Sequence, residues 1–352
     1  MTTQARELAI VVALGLVPAG LQAGPHQEKV EGYAEWRRGG CWIVDAARVC
    51  PGPSMDFKGK GRAHDFDSIP VGYEVKAKGV RAPDGALIAH KVEARPNGSA
   101  LFEGDLRQAF DELEDRYRHR GRVFDEDDDG DVNEDYGPLL ESGPEVQRVR
   151  AITARLVPPY LEPEHFRVYV VDNEEWNAMA APNGAIFVFT GLLRDLDDDE
   201  LAFILGHELA HATHEHGRKQ FKKGLWIQLA ALAAMGLAEE GIEGDVPRIA
   251  AQGMALLGAL AWSSSYGRSH EDQADRVGLR YAYEAGYDVS RGPTLWARFA
   301  KKYGDTPRLI HFFLDEHSRS TTRAAKLQRE IAMNYSATRP DTVRYALTHR
   351  DQ

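Results

Sequence analysis

Hydrophobic and polar positions change period several times along the chain. From about Arg38 to Arg95 they alternate, as in "VGYEVKAKGVRAPDGALIAHKVEARP", where "APDG" separates two runs. A period of two with Gly and Pro punctuation predicts short strands joined by turns. Residues 99 to 120 shift to a helical pattern that ends in the basic cluster "RYRHRGR". Beyond Pro144, "EVQRVRAITARLV" is again helical, and "FRVYVVDN" followed by "GAIFVFTGLL" predicts two strands feeding a helix. In "DDDELAFILGHELAHATHEHG", Leu201, Ile204, Leu205, Leu209 and Ala212 make one apolar stripe. The aspartates suit that helix's start and Gly217 its end.

These changes divide the chain into five parts: a leader at 1–23, a small β-domain at 24–98, a helical and acidic linker at 99–139, a larger domain at 140–335 and a tail at 336–352. The expected class is α+β, a mostly helical domain with a small sheet preceded by an all-β unit. That unit is similar to a compact OB-like barrel, but it lacks an aromatic and basic stripe and reads as an accessory domain. Two apolar stretches, "LWIQLAALAAMGLA" and "RIAAQGMALLGALAW", fall short of the roughly 20 residues a membrane span needs. They read as buried or membrane-apposed helices, so no transmembrane span is expected.

Charge narrows the partners. Among 352 residues, 54 acidic against 43 basic side chains give a formal net charge of −11, which excludes a broad nucleic-acid surface. The start, "MTTQARELAIVVALGLVPAGLQAGP", has a short polar opening, an apolar run and a small-residue site at Ala23. That is the layout of a secretory signal peptide, and it predicts a periplasmic or extracellular protein. Cys41 and Cys50 flank "WIVDAARV", a spacing that suits a strand-turn-strand disulfide in an oxidising compartment. In "DEDDDGDVNEDYG", Asp125, Asp127, Asp129 and Gly130 open as a calcium loop does. Tyr136 stands where the twelfth-position acid is needed, so a solvated acidic loop is favoured over Ca2+.

The chemistry concentrates in "HELAH", residues 207 to 211. On a helix His207 and His211 lie one turn apart on one face, so both rings can reach one zinc ion. Glu208 points beside that ion and can take a proton from a water. His214 lies about 10.5 Å along the axis from His207, and both it and His216 read as polar residues at the helix end. A His-Glu-x-x-His-x-x-Gly-x-x-His pattern is excluded, because His214 and Gly217 occupy the Gly and His places. In "YGRSHEDQADRVG", Glu271 can enter the metal sphere from a second helix. One turn on, Asp275 can orient a ligand histidine through its far nitrogen.

With "NAMAAPNGAIFVFTGLL", "DDDELAFILGHELAHATHEH" and "SYGRSHEDQADRVG" in order, residues 140 to 335 resemble the gluzincin zinc endopeptidases of the CAAX-protease and HtpX family, in its soluble BepA-like branch. The resemblance implies a zincin-type domain with one Zn2+ per chain, His207, His211 and Glu271 as ligands, and Glu208 as general base and acid. It implies protein or peptide substrates, and envelope protein quality control as the setting. It places Asn177, Ala178, Gly184 and Ile186 along a cleft where an extended substrate could add as a strand. His317 in "DEHSRSTTR" takes the place of a family histidine near the active site, with Ser318 where Pro usually follows. A latent member acting as a chaperone-like binding module is the rival reading. Glu208 weighs against it, because a structural zinc site needs no base.

Overall fold

A computed structural model of the chain describes residues 27–96, 100–126, 132–158, 161, 163–217, 219, 268–303, 320–335 and 337–338. The leader, Asp127, Asp129, both apolar stretches between the metal motifs, and His317 lie outside the described residues. No helix among the described residues is long and apolar enough to cross a membrane.

The alternating region forms a closed five-stranded barrel. Strands β1 (Gln27–Arg38), β2 (Cys41–Val44), β3 (Ala47–Gly59), β4 (Glu74–Arg81) and β5 (Leu87–Arg95) run in the order β1-β2-β3-β5-β4, with β4 returning to β1. Only the β3–β5 pair is parallel. Val30, Ala34, Val44, Val49, Val75, Ala77, Leu87 and Val92 fill the interior. The "APDG" turn joins β4 to β5, and the Cys41–Cys50 disulfide staples β2 to β3. Two departures from regular pairing shape β1 and β2. The β1–β2 register shifts between Ala34 and Trp36, which makes Glu35 the extra residue of a bulge. The two-residue β2–β3 turn puts both Asp45 (φ 44°) and Ala46 (φ 65°) in the left-handed region, the geometry of a tight hairpin turn.

The larger domain has a five-stranded sheet in the order β6-β7-β8-β10-β9. Its strands are β6 (Arg122–Glu126), β7 (Val132–Leu140), β8 (Arg167–Val171), β9 (Ala178–Ala180) and β10 (Ala185–Phe189). The stretch expected to be an acidic linker thus supplies the β6–β7 hairpin, and β7 pairs with β8 through Leu139 and Leu140. Beyond Glu126 the charge run hid a strand whose anchoring residues lie at its far end. The two expected strands, β8 and β10, pair in parallel.

Both sheet faces are covered, which is why β10 is apolar at every position. Ala185, Phe187 and Phe189 face a small core with Phe110 and Tyr117 of α1 (Ala100–Arg120). Ile186 and Val188 face the main core with α2 (Pro144–Leu156), α4 (Asp198–Thr213), α5 (Arg268–Glu284) and α6 (Arg291–Tyr303). A short α3 (Thr190–Asp195) links β10 to α4, and α7 (Ser320–Asn334) closes the far side. The start of α4 is fixed by a capping box. Asp197 accepts from the Glu200 N–H at 2.9 Å, and Glu200 accepts from the Asp197 N–H at 3.3 Å.

Helices α4 and α5 meet glycine to glycine. A Cβ on Gly278 would sit 2.5 Å from the His207 backbone nitrogen, and one on Gly206 would sit 2.7 Å from the Gly278 carbonyl oxygen. That approach brings the Glu271 face of α5 onto the His207 face of α4. Alanine at 278 gains about 1 kcal/mol of helix propensity, but its methyl would strike backbone that cannot rotate away. Gly278→Ala is therefore expected to destabilise by about 1–3 kcal/mol net, and an unchanged melting temperature would show that the helices have slack.

Candidate metal centre

Helix α4 is buried along nearly its whole length, and His207, Glu208 and His211 are 1%, 3% and 2% exposed. Glu271, near the start of α5, is fully buried. The Nε2 atoms of His207 and His211 lie 3.0 Å apart. Glu271 sets Oε2 at 3.4 Å from the first and Oε1 at 3.4 Å from the second. Among the described residues these three form the group of His, Cys, Asp or Glu whose donor atoms converge within 4.8 Å.

Donors about 2.0–2.1 Å from one tetrahedral ion stand about 3.3 Å from each other, which is what this trio shows. Two imidazoles and a carboxylate also match zinc's preference for nitrogen and oxygen ligands. Charge points the same way. Glu208, Glu271 and Asp275 are three buried acids near one buried guanidinium, Arg323, and a divalent cation offsets that excess. The residues present fit zinc.

Each histidine of the trio has a partner behind it. His207 turns Nδ1 to Asp275 Oδ1 at 3.0 Å. Arg323 donates to both oxygens of that carboxylate, from Nε at 2.8 Å and from a terminal nitrogen at 2.6 Å. The same terminal nitrogen lies 3.4 Å from Glu271 Oε2, and the guanidinium sits 3.5 Å from the Trp296 ring centroid. Burial opposes ionising Asp275, but the charge and hydrogen bonds of Arg323 outweigh it and hold the carboxyl below its ordinary value. Arg323 was not singled out from sequence. Its signal was a charge on the buried stripe of α7, beside Ala324 and Leu327, which are 8% and 1% exposed.

Glu208 leaves the same helix turn toward the sheet, where its carboxylate accepts from the Ala180 N–H of β9. Burial pushes its carboxyl up to about 8, with Glu271 adding to the shift and His207, Arg323 and the Ala180 N–H opposing it.

His214, expected at the helix end, is the C-cap of α4, and both it and His216 are fully buried. The helix stops at Thr213, Glu215 takes φ 53°, and His216 and Gly217 are helical again after this break. Burial pushes His214 down to about 3, and His216 Nδ1 comes to 2.9 Å from His211 Nδ1. The cleft assignment also narrows. Ile186 lies on the interior strand β10 with no exposure, and Gly184, at φ 89°, forms the β9–β10 turn against the His165 carbonyl. Among the described residues β9 is one edge of the sheet and β6 the other. Asn177 and Ala178 stand at its start, and both polar atoms of the buried Asn177 amide lack a hydrogen-bond partner among the described residues.

The model of peptidase family M48 matches residues 142–331, more than half of the chain. The chain belongs to peptidase family M48. The chain is similar to the mitochondrial metalloendopeptidase OMA1 of Bos taurus, 34% identical over 209 residues, 55% of this chain and 38% of that one. The mitochondrial metalloendopeptidase OMA1 of Arabidopsis thaliana is 30% identical over 175 residues, 49% of this chain and 33% of its own. The beta-barrel assembly-enhancing protease of Escherichia coli is 26% identical over 162 residues, 45% of this chain and 33% of its own. The chain therefore spans little more than a third of the length of the curated relatives it matches. Membership makes it a metallopeptidase, and the His-His-Glu group lies within the M48 segment.

Proposed function

We propose that the chain is a zinc-dependent endopeptidase that cleaves protein substrates, with His207, His211 and Glu271 holding the metal. The observation that carries this reading is the trio of donor atoms at tetrahedral spacing, with an acid on the neighbouring position of the same helix. When bound, zinc would supply Lewis acidity, polarising a peptide carbonyl and acidifying a water.

The chain's own residues do the rest. Asp275, clamped by Arg323, keeps the His207 ring in the tautomer whose Nε2 lone pair faces Glu271. Glu208 takes the attacking water's proton on its carboxylate and passes it to the leaving nitrogen. The Ala180 N–H holds that carboxylate in place. Alternation along β9 then aligns the substrate. Met179 pairs inward with Phe187 of β10, so the backbone groups of Ala178 face the same outer edge as the Ala180 N–H. An extended peptide laid along this edge would pair with Ala178 while its scissile bond comes beside Glu208. The Asn177 amide is a further partner for its backbone.

On the sequence resemblance alone, His317 stays in this reading as a candidate donor to the reacting carbonyl. The setting proposed is export and envelope protein quality control, supported by the leader's layout and by the Cys41–Cys50 disulfide.

Purified protein incubated with casein and then stripped with a chelator tests the reading. Cleavage should stop on stripping and return with added zinc but not with magnesium. Hydrolysis that continues at the parent rate after metal analysis shows no zinc would sink it.

A further inference from the structure

Behind His211 stands a chain of hydrogen bonds that leaves the peptidase domain. His211 Nδ1 faces His216 Nδ1 at 2.9 Å, and His216 Nε2 faces Gln273 Oε1 at 3.0 Å. Gln273 Nε2 donates to Glu35 Oε1 at 3.0 Å and to Asp45 Oδ1 at 2.7 Å. Arg276, three residues on, donates to the same Glu35 oxygen at 3.0 Å. His216 and Glu35 are fully buried, and Gln273 is 4% exposed. Glu35 and Asp45 belong to the barrel.

We propose that the N-terminal barrel is part of the metal centre, with Glu35 and Asp45 acting through Gln273 and His216 as positioning residues that fix the tautomer and pose of His211. The inference rests on the proposed reading of His211 as a ligand through Nε2.

The proton order follows from one end. A His211 ring that gives its Nε2 lone pair to a metal carries its proton on Nδ1. That N–H donates to His216 Nδ1, which must be a bare acceptor, since two N–H groups cannot face each other at this distance. Neutral His216 then carries its proton on Nε2 and donates it to the Gln273 carbonyl. The other end demands the same order. Glu35 Oε1 already accepts from Arg276 and Asp45 Oδ1 from the Tyr33 N–H, so both act as acceptors for the Gln273 NH2 and its oxygen faces His216. The chemistry at both ends thus selects one orientation of the Gln273 amide.

The barrel's irregularities serve this contact. An unbroken β1 would alternate Glu35 with its neighbours across the ladder, whereas the bulge re-aims it at α5. The left-handed Asp45–Ala46 turn brings the Asp45 carboxylate back over β1, where it also accepts from the Tyr33 N–H at 3.0 Å. Gly32 leaves the room, because a Cβ there would lie 2.3 Å from Asp45 Cγ. The barrel is also seated on the end of α4, where Gly72, at φ 81°, approaches so closely that a Cβ would meet the Thr213 carbonyl at 2.3 Å.

The test uses the full chain loaded with zinc and labelled with 15N-histidine. Long-range proton–nitrogen spectra of the parent should show His211, like His207, protonated on Nδ1 and His216 protonated on Nε2, and a His216 protonated on Nδ1 would overturn the proposal even if every variant failed to fold. His216→Leu should weaken zinc affinity, read by competition with a chelating dye, by roughly 10–100-fold. His216→Asn, whose amide oxygen replaces the Nδ1 acceptor, should recover part of that loss. Glu35→Gln with Asp45→Asn should free Gln273 to turn over, mixing the His216 tautomers and weakening zinc several-fold at an unchanged far-UV spectrum. Parent-like affinity and tautomers in both the His216→Leu and the double variant would overturn the proposal. His211→Ala separates this failure from that of the ligand reading. Zinc kept by His211→Ala refutes the ligand, while zinc lost there but unchanged in the others refutes only the barrel's role.

Discussion

Glu208→Gln is expected to leave a folded, zinc-loaded chain whose kcat/KM for peptide hydrolysis falls by roughly 10²–10⁴-fold, the range a general acid–base supplies. Glutamine keeps the volume, and its amide oxygen still accepts from the Ala180 N–H, so β9 stays docked on α4. It also relieves the cost of holding a charge at a site only 3% exposed, so the melting temperature should match or exceed the parent's. What it loses is the only function of the carboxylate that shape cannot replace, the exchange of a proton. The loss should appear in kcat with KM nearly unchanged. Residual activity within a few-fold of the parent would mean that another group is the base.

Glu271→Ala is expected to empty the metal site. The two imidazoles remain 3.0 Å apart, but one corner of the tetrahedron is gone and Arg323 keeps a full positive charge 3.4 Å from where the carboxylate stood. Loss of a ligand must exceed the 10–100-fold cost typical of losing a supporting contact, so metal analysis after dialysis should find well under one zinc per chain. His207→Ala should do the same. Full occupancy in both variants would overturn the ligand assignment.

What could be read from the sequence was what repeats at short range. His207 and His211 are one turn apart, as are Glu271 and Asp275, and helical spacing alone puts each pair on one face. The β4 and β5 runs around "APDG" and the strands β8 and β10 were legible for the same reason, through period two and unbroken apolar runs, whereas β1 lies ahead of the alternating stretch. What stayed hidden depends on the fold bringing distant residues together. Arg323 meets Asp275 across 48 positions, and Gln273 meets Glu35 across 238. Which of β9 and β10 forms the edge was equally hidden, because "NAMAA" and "AIFVF" are both apolar and only the pairing order separates them. The burial of His214 and His216 was hidden as well, because the left-handed Glu215 that breaks the helix after Thr213 leaves no trace in periodicity.

The bulge at Glu35 has a consequence for how related barrels are compared. Deleting that one residue would turn β1 into a regular strand, with an unbroken ladder against β2 and a sequence that reads as a better β-strand. By local criteria such a homologue would be an improved barrel. Yet no carboxylate would then leave the strand toward Gln273, so a single-residue gap at this point in an alignment is expected to separate barrels that reach the peptidase site from barrels that merely precede it.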